Sequence, residues 1–211
     1  MTSEKTTLDR IYLRDYQPPD FLITATVLHF ELSANNTRVR SQLSIKRQSS
    51  GQGSLRLDGE ALVLERIRLD GKELTPNQYT IDDHSLTVHD VPSEFTLQIE
   101  NWVSPAANTK LEGLYLSSGN FCTQCEPEGF RRITYFIDRP DVLSEFTVTL
   151  SASVTDCPVL LSNGNRLSTE TLANGRHQVT WHDPHPKPSY LFALVAGELG
   201  FIEDRFTTAR A

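Results

Sequence analysis

The sequence predicts an all-β protein, built from antiparallel strands in a sandwich or a large curved sheet. Apolar and polar residues alternate with a period of two in many short segments, which is typical of half-buried strands. Turn signals separate these segments, and helical periodicity is weak throughout. A length of 211 residues suits one large all-β domain or two small ones. Because no internal repeat or linker is visible, we expect one β domain over residues 1–211.

The first predicted element is a β-hairpin. Leu28, Phe30 and Leu32 alternate with polar residues and predict the first strand. Asn35-Asn36 predicts the turn, since Asn tolerates left-handed backbone angles. Residues 39–45 resume the alternation and predict the returning strand.

The same alternation predicts further strands along the chain. Asp70-Gly71 is a strong hairpin signal after the apolar positions of residues 62–69. Asp82-Asp83 separates residues 79–81 from residues 86–88 in a similar way. The remaining predicted strands are residues 95–99, 146–150, 178–181 and 190–196. The last of these is nearly all apolar, so we expect it to be buried on both faces.

Residues 104–141 break this rhythm. They contain two cysteines, several glycines and aromatic residues without a simple period. A long irregular stretch inside a regular domain is often where function resides. At its end, residues 140–145 are compatible with a single helical turn. Residues 49–54 are rich in Ser and Gly and are predicted to form a loop.

Composition places the chain among globular proteins, with 38% hydrophobic and 22% charged residues. The net charge is −7, whereas nucleic-acid binding needs a clustered basic patch. The densest basic stretch, from Arg38 to Arg47, alternates with other residues along a predicted strand and is interpreted as a solvated face. No apolar run is long enough to predict a membrane helix. We therefore expect neither nucleic acid nor a membrane as a partner.

The compartment is predicted from the N-terminus and the cysteines. Residues 1–10 are polar and lack the apolar centre of a signal peptide. Three cysteines, two of them three residues apart, do not suggest a secreted disulfide framework. Together these features predict a cytoplasmic protein.

Metal and nucleophile motifs are weak. Cys122 and Cys125 have the spacing of half a zinc site or of a redox pair. The matching histidines, His182 and His185, lie far along the chain, so we interpret the cysteines as free thiols without metal. Cys157 is interpreted as a small buried hydrophobe. None of the six histidines precedes a glutamate, so His-Glu-x-x-His is absent, as is a nucleophile elbow. We expect no catalytic residue and no metal or other cofactor in this chain.

Gln124 and Glu126 are the strongest binding candidates. On an extended segment they would point to the same side. A carboxylate and an amide oxygen at one spot suit a primary ammonium group. The alternative is that Glu126 simply pairs with Arg131 or Arg132, and composition alone favours that alternative.

Three segments of this region resemble the zinc-dependent, thermolysin-like aminopeptidase N family in order and spacing. They are NTKLEGLYL (108–116), CTQCEPEGFR (122–131) and ITYFIDRP (133–140). Many family members carry Thr-Gln-x-Glu, a short gap, an Arg and a closing Asp-x-Pro. The matching positions here are Thr123, Gln124, Glu126, Arg131, Asp138 and Pro140. Segments 16–20, 160–165 and 186–197 also fit, so the resemblance covers about residues 13–208.

The resemblance implies that this chain is the N-terminal domain of a bacterial member of the family. In that family the domain is a saddle-like antiparallel β structure that packs on a catalytic domain. It implies that Glu126 helps to bind the α-amine of a peptide N-terminus, and that Gln124 lines the pocket for the first side chain. Arg131, Asp138 and Pro140 are expected to fix the loop rather than to touch substrate. The zinc and its ligands are expected in the catalytic domain, which this chain lacks.

Two functions follow as expectations. The first is a recognition domain, inactive alone, from an enzyme that removes N-terminal residues from peptides. The alternative is a freestanding binding or scaffold protein that lacks catalysis. They differ in their expected surfaces, because only a domain separated from its partner should expose an apolar patch where that partner packs.

Overall fold

Fifteen β-strands in three sheets make up most of the computed structural model, which describes residues 12–48 and 53–207. Of the described residues, 55% are in strands and 6% in short 3-10 turns, so the all-β prediction is confirmed. Nowhere in these two ranges is there a helix with the length and apolar character that crossing a membrane demands. The strands are β1 Phe21–Glu31, β2 Thr37–Arg47, β3 Gly53–Asp58, β4 Val63–Leu69, β5 Lys72–Glu73, β6 Tyr79–Ile81, β7 Ser85–Val91, β8 Glu94–Val103, β9 Gly113–Ser117, β10 Asn120–Gln124, β11 Ser144–Ser153, β12 Val159–Ser162, β13 Asn165–Thr171, β14 Arg176–Lys187 and β15 Leu194–Gly197. The 3-10 turns are Leu13–Asp15, Pro105–Ala107, Phe130–Arg132 and Ser189–Leu191.

The largest sheet has eight strands in the order β13-β14-β11-β1-β2-β8-β4-β5. The predicted hairpin is its centre, where β1 and β2 pair antiparallel with Phe30 opposite Val39. The alternating apolar residues of both strands are buried, as half-buried strands require. One pair departs from the antiparallel prediction, because β1 and β11 run parallel. Their long separation in sequence permits the crossover that a parallel pair needs.

The other predicted hairpins are also present. β4 turns into β5 at Asp70-Gly71, where both residues have positive φ angles of 48° and 78°. Such angles suit the primed turns that match strand twist. β6 and β7 pair across Asp82-Asp83, and the Asp82 carboxylate accepts hydrogen bonds from the His84 amide and the Ser85 hydroxyl. Those hydrogen bonds lower the pKa of Asp82.

Two smaller sheets complete the fold. One has four strands in the order β12-β15-β10-β9, and the other has three in the order β3-β7-β6. A cluster of phenylalanines joins the layers: Phe130 makes edge-to-face contacts with Phe136, Phe146 and Phe192, at centroid distances of 4.9, 6.0 and 5.2 Å. Phe146 lies on the large sheet and Phe192 just before β15, so residues 130–136 thread through the core.

Three local predictions are corrected. Residues 190–196 are not one strand: a 3-10 turn over Ser189–Leu191 precedes β15, because Phe192 turns into the aromatic cluster. Residues 140–145 form no helical turn; the Val142 amide bonds to the Arg139 carbonyl in a tight turn, and β11 begins at Ser144. The predicted loop 49–54 lies partly outside the described residues, and its last two residues, Gly53 and Ser54, open β3.

The outer side of the large sheet carries the basic stretch that was predicted to face solvent. Arg38 contacts Glu65 and Glu100 at 3.1 and 2.6 Å, and Arg40 contacts Glu31 at 2.7 Å. These acids lie on other strands of the same sheet and neutralise the two arginines of β2. The stretch is therefore a mixed-charge surface.

Candidate substrate-recognition site

Gln124 and Glu126 lie where β10 leaves the four-stranded sheet. Gln124 is the last residue of β10, and Glu126 follows two residues later. Both are exposed, whereas Cys125 between them is buried. This alternation places the two side chains on the same side of the segment. The Gln124 side-chain amide donates a 3.2 Å hydrogen bond to the Glu126 carbonyl, which couples the two residues.

The segment is fixed upstream by Thr123. Its hydroxyl donates to the Leu194 carbonyl at 3.2 Å and accepts from the Leu194 amide at 2.8 Å. One side chain thus takes the place of a backbone hydrogen-bonded pair between β10 and β15. Since Thr123 directly precedes Gln124, this contact fixes the direction in which the site leaves the sheet.

The segment is fixed downstream by a buried ion pair. Arg131 donates from its Nε to the Asp138 carboxylate at 3.1 Å and from its backbone amide to the same oxygen at 3.2 Å. The other carboxylate oxygen of Asp138 accepts from the Ser189 hydroxyl at 2.5 Å. The Asp138 side chain is only 1% exposed. Arg131 and Asp138 therefore hold the loop, which is the role that the family resemblance implied for them.

Gly129 closes the loop at a point where no side chain fits. Its amide donates to the Cys125 carbonyl at 2.8 Å. A Cβ atom at this position would lie 2.2 Å from the Gln124 carbonyl oxygen. A real side chain would therefore push the loop away from the strand that carries Gln124.

The arginines near the site have acidic partners other than Glu126. Arg131 contacts Asp138 and, at 3.3 Å, the exposed Glu128. Arg132 contacts Glu60 and Glu112. Within residues 12–48 and 53–207, no ion pair involves Glu126. The alternative that Glu126 serves only to neutralise a neighbouring arginine does not describe this geometry.

The cysteines and histidines lie in different parts of the fold. Cys122 lies on β10 and is half-buried, whereas Cys125 follows β10 and is buried. Burial raises the pKa of the Cys125 thiol. His182 lies on β14 of the large sheet, within 3.0 Å of the Thr147 hydroxyl. No group of three or more His, Cys, Asp or Glu side chains that could hold a metal ion occurs in the described part of the chain.

Gln124 and Glu126 are both exposed to solvent. Concavities of about 300 and 260 Å³ lie elsewhere, the first on the outer side of the large sheet and the second beside residues 103–110. Neither concavity is lined by Gln124 or Glu126. An exposed carboxylate holds an ammonium group weakly in water. Tight binding of an ammonium group at this position would therefore require a second surface that covers the carboxylate.

Sequence reasoning did not find the Thr123 and Ser189 contacts. Each joins residues far apart in the chain, so no local pattern reports it. It also missed the β9–β10 hairpin. The dipeptide Ser118-Gly119, between two β-prone segments, was a turn signal in the sequence. In the structure both residues have positive φ angles and join β9 to β10.

Comparison with known proteins agrees with this arrangement. A family model described as the Peptidase M1 N-terminal domain matches residues 16–191. Aminopeptidase N of Escherichia coli (strain K12) is 48% identical over 197 residues, which are 93% of this chain and 22% of that protein. Aminopeptidase N of Caulobacter vibrioides is 48% identical over 198 residues, or 94% of this chain and 23% of that protein. The chain thus spans less than a quarter of the length of these relatives.

Solved structures show the same fold. Legionella pneumophila aminopeptidase A, in complex with aspartic acid, superposes with a TM-score of 0.85 at 36% identity, covering 89% of this chain and 22% of that one. An M1 zinc metallopeptidase from Deinococcus radiodurans superposes with a TM-score of 0.73 over 85% of this chain and 43% of that one. At 16% identity, the second match supports the fold alone.

Proposed function

This chain belongs to the Peptidase M1 N-terminal domain family, and from that premise we propose that it is the substrate-recognition domain of a zinc aminopeptidase. In this proposal the longer protein removes N-terminal residues from peptides. Glu126 binds the α-ammonium group of the substrate, and Gln124 flanks the first side chain. The observation that carries the proposal is the clamped segment that presents both side chains on one side, with Glu126 outside the ion pairs of Arg131 and Arg132.

Recognition of a free amine follows from elementary electrostatics. A carboxylate that is covered by a second domain loses water, and only a positive group can compensate for that loss. The N-terminus of a peptide supplies such a group, whereas an internal amide leaves the carboxylate unpaired. Amino-acid binding has a precedent in the related Legionella pneumophila protein, whose structure contains aspartic acid.

In this proposal the rest of the longer protein, and not this chain, binds the zinc ion. The described residues include no cluster that fits a metal ion. When bound in a catalytic domain, zinc would activate the water that attacks the peptide bond. What this chain supplies is position: Thr123 and Arg131 hold the segment, and Glu126 orients the substrate amine.

Replacing Glu126 with glutamine in the full-length protein tests the proposal. We expect kcat/KM on an alanine amide to fall by about 30- to 1,000-fold, because losing one partner of a desolvated charge pair costs about 2–4 kcal/mol. Glu128→Gln is the matched control, since Glu128 is an exposed acid two residues away. We expect that control to change kcat/KM by less than about threefold.

Equal effects of the two variants would contradict the role of Glu126. If the full reading frame has no aminopeptidase activity at all, the freestanding binding or scaffold function replaces the proposal.

The chain alone is expected not to bind free amino acids measurably. Its Glu126 carboxylate is exposed, and a surface ion pair contributes only about 0–1 kcal/mol. Isothermal calorimetry with alanine and with arginine amide measures this directly. A dissociation constant below about 100 μM for either compound, which corresponds to a binding free energy of more than about 5 kcal/mol, would contradict the view that the site is incomplete in this chain.

A further inference from the structure

One buried polar side chain interrupts the apolar side of β8. The other inward-facing positions of this strand are apolar and buried: Phe95, Leu97, Ile99 and Val103. Asn101 has the same orientation and is 0% exposed. An amide among apolar core residues costs free energy unless its hydrogen bonds are made. Packing alone therefore does not explain why an amide occupies this position.

Only one half of the Asn101 amide is paired. Its Nδ2 atom donates a 3.0 Å hydrogen bond to the Ile133 carbonyl. Its Oδ1 atom has no hydrogen-bond donor within residues 12–48 and 53–207. A buried acceptor without a donor is destabilising, and an aliphatic side chain of similar shape would avoid that unpaired oxygen. The hydrogen bond to Ile133 is thus what distinguishes Asn101 from an aliphatic residue at the same place.

A second polar contact attaches the next residue of the irregular segment. The Thr134 hydroxyl lies 3.2 Å from the Ser41 hydroxyl of β2, and both side chains are buried. β2 and β8 are neighbours in the interior of the large sheet, where Val39 lies opposite Asn101. Residues 133 and 134 are therefore attached by side chains to two adjacent strands of that sheet.

These attached residues lie at the end of a compact series of turns. Backbone amides donate to preceding carbonyls from Gly129 to Cys125 at 2.8 Å, from Arg132 to Gly129 at 3.1 Å and from Ile133 to Phe130 at 2.9 Å. We call residues 125–133 the recognition turn, since Glu126 is its second residue. Consecutive hydrogen-bonded turns move together, so a displacement at residue 133 is transmitted to Glu126.

We propose that Asn101 is a positioning residue for substrate recognition, which holds the end of the recognition turn on the large sheet and so fixes the place of the Glu126 carboxylate. This inference rests on the proposed function and adds a further residue to the same site. Thr123 attaches the start of the turn to Leu194, and Asn101 attaches its end to β8. Asn101 is buried and touches no substrate, so it acts through the turn. Displacement of a binding group by about 1 Å can cost up to about 100-fold in rate, which makes such an attachment significant.

The experiment is a double-mutant cycle in the full-length protein, with hydrolysis of an alanine amide as the readout. Asn101→Leu is similar in shape and removes the donor to Ile133. We expect kcat/KM to fall by about tenfold, mostly through KM, because the amine contact is present before and during the reaction. In the Glu126→Gln background the same substitution should lower kcat/KM by less than about twofold, since the contact that Asn101 positions is already lost.

Two further variants keep the test decisive. Leu86→Ala is the matched control for a loss of stability, because Leu86 is fully buried on β7 of the three-stranded sheet. It should lower the midpoint of urea unfolding but leave KM within about twofold of the wild type. If Asn101→Leu does not fold, Thr134→Val replaces it, since it removes the contact with Ser41 at the neighbouring residue. We expect Thr134→Val to lower kcat/KM by about threefold, and to have no such effect in the Glu126→Gln background.

An equal fold loss from Asn101→Leu in both backgrounds would overturn the inference, because Asn101 would then not act through Glu126. A similar rise in KM for Leu86→Ala would also overturn it, since any loss of core packing would then have the same consequence. Failure of the proposed function looks different: Glu126→Gln itself would leave kcat/KM unchanged. A large effect of Glu126→Gln together with additive effects of Asn101→Leu refutes the role of Asn101 and leaves the proposed function standing.

Discussion

Replacing Asp138 with alanine is expected to lower the free energy of unfolding of this chain by about 3–5 kcal/mol. The Asp138 side chain is 1% exposed and accepts hydrogen bonds from Arg131 and from Ser189. Removing the carboxylate leaves the Arg131 guanidinium, itself only 16% exposed, without its main partner. An uncompensated buried charge costs more than the pair contributes, which explains the size of the effect.

Thermal unfolding followed by circular dichroism measures this loss. For a chain of this size, each kcal/mol corresponds to roughly 2–4 °C, so we expect Tm to fall by roughly 6–20 °C. Asp138→Asn keeps the shape and one acceptor oxygen, and should lie between the wild type and Asp138→Ala. Glu145→Ala removes an exposed acid on β11 and should change stability by about 0.5 kcal/mol or less.

A loss below about 1 kcal/mol for Asp138→Ala would show that Asp138 does not hold the loop. That result would also weaken the proposed role of Glu126, because the same loop positions its carboxylate.

The regular part of the fold was predictable because its information is local. β1, β2, β8 and β11 each bury one side, so their sequences alternate and reveal both the strand and its buried face. β13 was missed for the same reason. Nearly all of its residues are exposed, so no alternation marks it, and it forms because β14 offers an edge.

The candidate site was predictable in part. Gln124 and Glu126 were selected from their spacing on an extended segment and from the family resemblance, and in the structure both are exposed on either side of the buried Cys125. The contacts that hold them there connect Thr123 with Leu194 and Asp138 with Ser189. Such long-range contacts depend on the packing of the whole domain, which local sequence patterns do not contain.

The aromatic residues of the irregular segment show the same limit. Phe130 and Phe136 have no period in the sequence, because they lie in a 3-10 turn and an isolated bridge rather than on long strands. Their position is set by Phe146, which lies on β11 of the large sheet, and by Phe192, which lies just before β15 of the four-stranded sheet. The irregular segment thus carries both the candidate site and the centre of the core.

Phe130→Ala is therefore expected to be as damaging as the loss of Asp138, at about 3–5 kcal/mol. The Phe130 ring is fully buried and contacts Phe136, Phe146 and Phe192. Its removal loses the transfer free energy of the ring and leaves a cavity between layers that cannot close fully. Because Phe130 directly follows Gly129, the cavity also removes the anchor beneath the loop that carries Glu126.

Urea unfolding of this chain measures the effect as a lower midpoint with an unchanged slope. Phe130→Leu keeps most of the volume and should lose clearly less. Phe201→Ala is the control for removing a phenylalanine as such, since Phe201 is 89% exposed and its loss should change stability by about 0.5 kcal/mol or less. If Phe130→Ala and Phe201→Ala gave the same midpoint, the aromatic cluster would not be what joins the two sheets. The loop that carries Glu126 would then have to be held by its polar contacts, such as the Arg131–Asp138 pair.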